Sequence, residues 1–145
     1  MQAQAGWRPG RDLAGTVLAQ AADGSGPQEG TRVVEMREAP GVWAEQVAVP
    51  SSSLAELPDE VSLTQAATLP VAGLTALHAL AKGGSLLGRR VLITGSTGAV
   101  GIFAHQLAML SGATVIGTAR DSSKQALVRE AGWSRTRPHV STSST

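Results

Sequence analysis

The chain has 145 residues, 42% of them apolar and 16% charged, with a formal net charge of +1. That balance fits a soluble globular protein of one domain, or one and part of another, and it offers no basic stripe for nucleic-acid phosphates. Cysteine is absent, which excludes disulfides, thiolate nucleophiles and cysteine-held zinc, and His78, His105 and His139 are too scattered to pair on one helix face, so no metal site is expected.

In chain order, short strands come first. LAGTVLAQA (13–21) is rich in small and β-branched residues, and DGSGPQEG (23–30) is a dense cluster of turn formers. TRVVEM (31–36) reads as the next strand and EAPG (38–41) as another turn. VWAEQVAV (42–49) alternates, with Trp43, Glu45, Val47 and Val49 on one side, and is expected to be a further strand of an antiparallel sheet or barrel.

After Pro50 the pattern becomes helical. Ser62 with Gln65 has capping-box spacing, Pro70 should interrupt or restart the helix, and Leu74, Leu77 and Ala81 carry an apolar stripe to the stop at Gly83 and Gly84. RRVLITG (89–95) reads as a short buried strand, AVGIFAHQLAMLSG (99–112) as a helix, ATVIGTA (113–119) as a second buried strand and SSKQALVREAG (122–132) as a second helix. Strand, helix, strand and helix at these lengths make a parallel βαβ unit. WSRTRPHVSTSST (133–145) has no periodicity and is expected to be a disordered tail. No apolar run approaches the ~18 residues that cross a bilayer, and MQAQAGWRPG lacks a signal-peptide pattern, so a cytoplasmic location without a membrane partner is the expectation.

The chemistry lies in ITGSTGAVG (93–101). A Walker loop needs lysine after its last glycine, where Ile102 stands. A short-chain dehydrogenase turn needs glycine at Ala99 and a catalytic tyrosine, and the chain has no tyrosine. What remains is a dinucleotide fingerprint in the register Ser96, Thr97, Gly98, Ala99, Val100, Gly101, with serine in the place of the first glycine. Gly98 would admit the pyrophosphate and Gly101 would let the helix approach the strand; the alternative is a tight corner that binds nothing. At the end of the next strand Ala119 replaces the acidic residue that reads a ribose diol, and Arg120 and Lys124 could pair with a 2′-phosphate, which points to NADP(H). The alternative for these two cations is a solvated helix start with Asp121 as local partner.

Together PGRDLAGTV (9–17), ATLPVAGLTALHAL (67–80) and VLITGSTGAVG (91–101) resemble the zinc-free quinone oxidoreductase branch of the medium-chain dehydrogenase/reductase family. The resemblance runs from about Pro9 to Gly132. It implies an α/β chain: a partial GroES-like β-barrel segment over 1–57, then an incomplete Rossmann segment with a parallel sheet over 58–132. It also implies hydride transfer from NADPH to a small quinone or enone, with Thr75 beside the nicotinamide. Arg11 stands where the zinc-dependent branch carries a metal-binding histidine. Thr75 could equally be a helix residue bonded to an earlier carbonyl, and no general acid is assigned. Departures from the family at both ends suggest a truncated form, with a frame shift behind the change after Gly132. The alternative function is a non-catalytic nucleotide-binding or partner-docking fragment; assembly as a homo-oligomer stays open.

Overall fold

The protein is described by a computed structural model covering residues 6–119 and Lys124. It divides into two compact units, one spanning Met1–Val71 and the other starting at Ala72.

The first unit is built on an antiparallel sheet ordered β1-β2-β3, where β1 is Asp12–Thr16, β2 is Arg32–Met36 and β3 is Ala55–Glu56. The register runs from Asp12 opposite Met36 to Thr16 opposite Arg32. The turn cluster between β1 and β2 behaves as its composition dictates. Gly24, Gly26 and Gly30 all take positive φ, and the Ser25 amide donates to Asp23 Oδ1 at 2.9 Å, an Asx-turn bond that holds the Asp23 carboxyl below its ordinary pKa. Val33 and Glu35 share the inward face of β2, and Ser53 Oγ donates to the buried Glu35 Oε1 at 2.8 Å. Helix α1, Leu63–Ala66, packs against β1 and β2. Its start is the expected capping box: the Gln65 amide donates to Ser62 Oγ at 3.2 Å, and the Ser62 amide donates to Gln65 Oε1 at 3.1 Å.

The stretch 42–49 corrects the strand expectation. Among the described residues no strand forms there. The amides of Gly41 and Val42 donate to Gly10 O and that of Trp43 to Pro9 O, so this backbone is tied to an irregular segment instead of a ladder. Val42 is buried and Trp43 is 72% exposed. Alternation specifies two faces, but a strand also needs a neighbour that presents matching amides and carbonyls. The first strand is likewise shorter than its composition suggested, ending at Thr16, with Leu18 exposed.

Helix α2, Pro70–Ala81, begins with proline, whose missing amide costs nothing at a first helical position, and it stops before Gly83 and Gly84. Within the first unit, Asp12 Oδ1 accepts from the Val71 amide at 2.7 Å, a carboxylate placed at a helix start.

In the second unit β4, Arg90–Ile93, pairs in parallel with β5, Thr114–Gly117, and α3, Ala99–Leu110, is the crossover. Strand, helix and strand appear where the sequence placed them. The core consists of Ala76, Ile93, Ala104, Ala108 and Val115, and its three alanines let the helices approach the strands closely. Burial on β4 is less complete than expected: Ile93 is covered, whereas Leu92 on the opposite face is 64% exposed. Successive strand residues point to opposite faces, and α3 covers only one of them. The expected helix at 122–132 and the tail at 133–145 lie outside the described residues, apart from Lys124, which is helical and exposed.

Candidate functional site

The glycine turn between β4 and α3 is stitched to the end of β5. The Gly95 amide donates to Thr118 Oγ1 and the Ser96 amide to Thr118 O, both at 3.1 Å, while the Gly98 amide returns to Gly95 O at 2.9 Å. Gly95 has φ of +66°, a left-handed conformation that side chains disfavour. Gly101 is needed for space: a Cβ there would collide with Gly95 O and the Ser96 backbone. The first turn of α3 is therefore packed directly against the loop.

The N-terminus of α3 lacks the usual self-made cap. Its N-cap is Gly98, no side chain caps it, and no acidic residue stands in its first turn. The opening amides of a helix have no carbonyl four residues back, so those of the first α3 turn suit an outside acceptor, and the helix dipole favours an anion there. Gly95, Gly98, Ala99, Val100 and Gly101 form one wall of a cleft of about 850 Å³, with Ala76, Ala79 and Leu80 of α2 on another wall. This combination fits a dinucleotide pyrophosphate.

The proposed site residues divide into distinct groups. Gly98, Ala99 and Val100 are exposed along the turn and helix start, while Gly101 is buried and Thr97 half-buried. Ser96 is wholly buried, and its Oγ donates to Ile93 O at 2.8 Å, so its side chain points into the protein and not toward a ligand. Thr75 is exposed on α2 and does not line the cleft. Ala119 is half-buried just after β5; Lys124 is exposed, and Arg120 lies outside the described residues. His105, on α3 beneath the turn, is almost fully buried, and loss of hydration pushes its pKa down from 6.5. Sequence reading missed Thr118, Gly117 and Gly95. The left-handed glycine after a strand was a detectable signal; the part played by Thr118 depends on strand register and was not.

Among the described residues, no cluster of three His, Asp or Glu side chains could hold a metal ion, and no helix is long and apolar enough to cross a membrane.

No family model matches the chain. Individual relatives do. A quinone oxidoreductase from Pongo abelii is 31% identical over 127 residues, covering 87% of this chain and 39% of that protein. The crystal structure of the quinone oxidoreductase from Thermus thermophilus, solved also as its NADPH complex, superposes with a TM-score of 0.73 at 33% identity, covering 87% of this chain and 39% of the other. The homologues and structure neighbours that cover most of this chain are quinone oxidoreductases and enoyl reductases of the medium-chain dehydrogenase/reductase family. The CurK enoyl reductase structure agrees, with a TM-score of 0.76 at 30% identity over 84% of this chain and 36% of that one. The antiparallel sheet thus corresponds to part of the GroES-like region and the β4-α3-β5 unit to part of the Rossmann region. The chain spans about two fifths of the length of these quinone oxidoreductases.

Proposed function

We propose that the chain is the nucleotide-binding part of an NADPH-dependent, zinc-free reductase acting on a quinone or enone. The observation that carries this reading is the uncapped start of α3 behind a glycine turn on a parallel βαβ unit. The Thermus thermophilus relative was solved with NADPH, which supports the choice of dinucleotide.

In this reading the amides at the start of α3 bind the pyrophosphate, Gly98 admits it, and Gly101 keeps the helix tight beneath the loop. Arg120 and Lys124 bind the adenosine 2′-phosphate, the guanidinium by a two-pronged contact and the ammonium as a point charge. Ala119, half-buried and uncharged, leaves room for that phosphate where an acidic residue would repel it. By the family resemblance Thr75, exposed on α2 and outside the cleft, lies beside the nicotinamide. The bound cofactor supplies the hydride, and the protein's part is orientation and polarisation of the acceptor.

Titration with NADPH and NADH by thermal shift, together with a quinone turnover assay, tests the proposal. Protection by NADPH with turnover supports it. Protection without turnover assigns the chain to non-catalytic nucleotide binding, and an unchanged melt with both cofactors rejects the site.

A further inference from the structure

Gly117, the last residue of β5, has no Cβ where almost any other strand residue would carry one. Its φ is not in the left-handed region, so its backbone does not require glycine. The local space does. An added Cβ would lie 2.5 Å from Ser96 Oγ, 3.0 Å from Ser96 Cβ and 3.4 Å from His105 Cε1. The Ser96 side chain therefore fills the volume that residue 117 gives up.

The serine is also fixed by hydrogen bonds. Its Oγ donates to Ile93 O at 2.8 Å, and that same carbonyl accepts the Thr118 amide at 3.1 Å across the strand pair. The Ser96 amide donates to Thr118 O, and the neighbouring Gly95 amide donates to Thr118 Oγ1. Turn and strand ends thus form one hydrogen-bonded knot, exposed at Gly95 and Thr118 and buried at Ser96 and Gly117, whose depth is limited by the contact between Ser96 and Gly117. The amides at the start of α3 follow directly from that knot, so its depth sets where they point.

We propose that Ser96 is a positioning residue for the dinucleotide, wedged against Gly117 so that the glycine turn presents its following amides to the pyrophosphate. The inference rests on the reading of that turn as a dinucleotide site. Ser96 does not touch the ligand. A side chain at 117 would push the turn outward, and a misplacement of roughly 1 Å in a preorganised site can cost about a hundredfold.

The test is a mutant cycle on the full chain with Gly117→Ala, Ser96→Gly and the double variant. Each is titrated with NADPH, with ADP-ribose, which keeps the pyrophosphate, and with adenosine 2′-monophosphate, which lacks it; melting is followed in parallel. Gly117→Ala is expected to weaken NADPH and ADP-ribose about tenfold or more and to leave adenosine 2′-monophosphate within about threefold. The double variant should return to within about threefold of Ser96→Gly, because deleting the serine side chain removes the two atoms that crowd the new methyl most closely, and His105 Cε1 at 3.4 Å is at ordinary contact distance. Unchanged ADP-ribose binding by Gly117→Ala overturns the proposal. So does a double variant that recovers its melt without recovering ADP-ribose binding, since that would be a purely structural pair. If Gly117→Ala does not fold, the double variant decides: recovery of both melt and binding supports the wedge, and failure of either rejects it. Wild type that binds neither NADPH nor ADP-ribose rejects the dinucleotide reading itself, a separate result from failure of the cycle.

Discussion

Two helix starts in this chain solve the same problem in opposite ways. Helix α1 satisfies itself: Ser62 and Gln65 exchange hydrogen bonds and close its N-terminus. Helix α3 opens on Gly98 with no side-chain cap and no acid in its first turn, leaving its dipole end to whatever enters the cleft beside it. A capped start contributes about 1 kcal/mol to stability and offers no binding surface. An uncapped start forgoes that contribution and keeps its donors for an anion. The contrast teaches that the absence of a cap, in a chain able to supply one elsewhere, carries functional information.

The contrast can be broken most severely at Gly101. Gly101→Val drives a side chain into the Gly95 carbonyl, and NADPH affinity should fall roughly a hundredfold or more with a clearly lower melting temperature. Unaltered binding in calorimetry would show that the turn does not hold the cofactor. Converting α3 into an α1-like start is next in size. Gly98→Asp adds a side-chain cap that is worth only about a few tenths of a kcal/mol over glycine. Crowding of its Cβ at 3.3 Å from Gly95 O partly offsets this gain. The melt should therefore stay near that of wild type while NADPH binding drops about tenfold or more from charge repulsion.

Arg120→Ala should lower NADPH affinity by about tenfold and leave NADH within twofold, as the loss of one charge-assisted contact to the 2′-phosphate requires. An unchanged preference between the two cofactors would remove Arg120 from the site. At the self-closed start, Ser62→Ala should cost about 1 kcal/mol in denaturant unfolding and leave NADPH affinity untouched.

The smallest effect is a pH dependence beneath α3. Burial lowers the pKa of His105 in the folded state, so the unfolded chain takes up its proton first as pH falls. Stability attributable to His105 is complete above its ordinary value of 6.5 and declines below it, levelling off once the folded-state pKa is passed. Melts between about pH 8 and 5 should slope downward in wild type and less in His105→Gln; identical slopes would reject the assignment.

The legible parts were those with short-range causes. The Ser62 and Gln65 spacing foretold a capping box, Pro70 the restart of a helix, and the glycine fingerprint the join of β4 to α3, because each depends on residues within a turn or two of one another. The alternation at 42–49 misled because a strand needs a hydrogen-bonded neighbour, which alternation does not identify. The fingerprint register puts Ser96 in the place of its first glycine. Its buried hydroxyl, held between Ile93 O and Gly117, makes it part of the framework.

By itself the sequence determined the self-capped start of α1, the proline start of α2 and the parallel βαβ unit, since periodicity, caps and glycine spacing are written along the chain. Tertiary structure decided which atoms share space. Residues 96 and 117 belong to different elements and become neighbours only when β4 and β5 pair and the turn folds over their ends. Close packing makes that single shared volume decisive, and no local pattern in ITGSTGAVG records it.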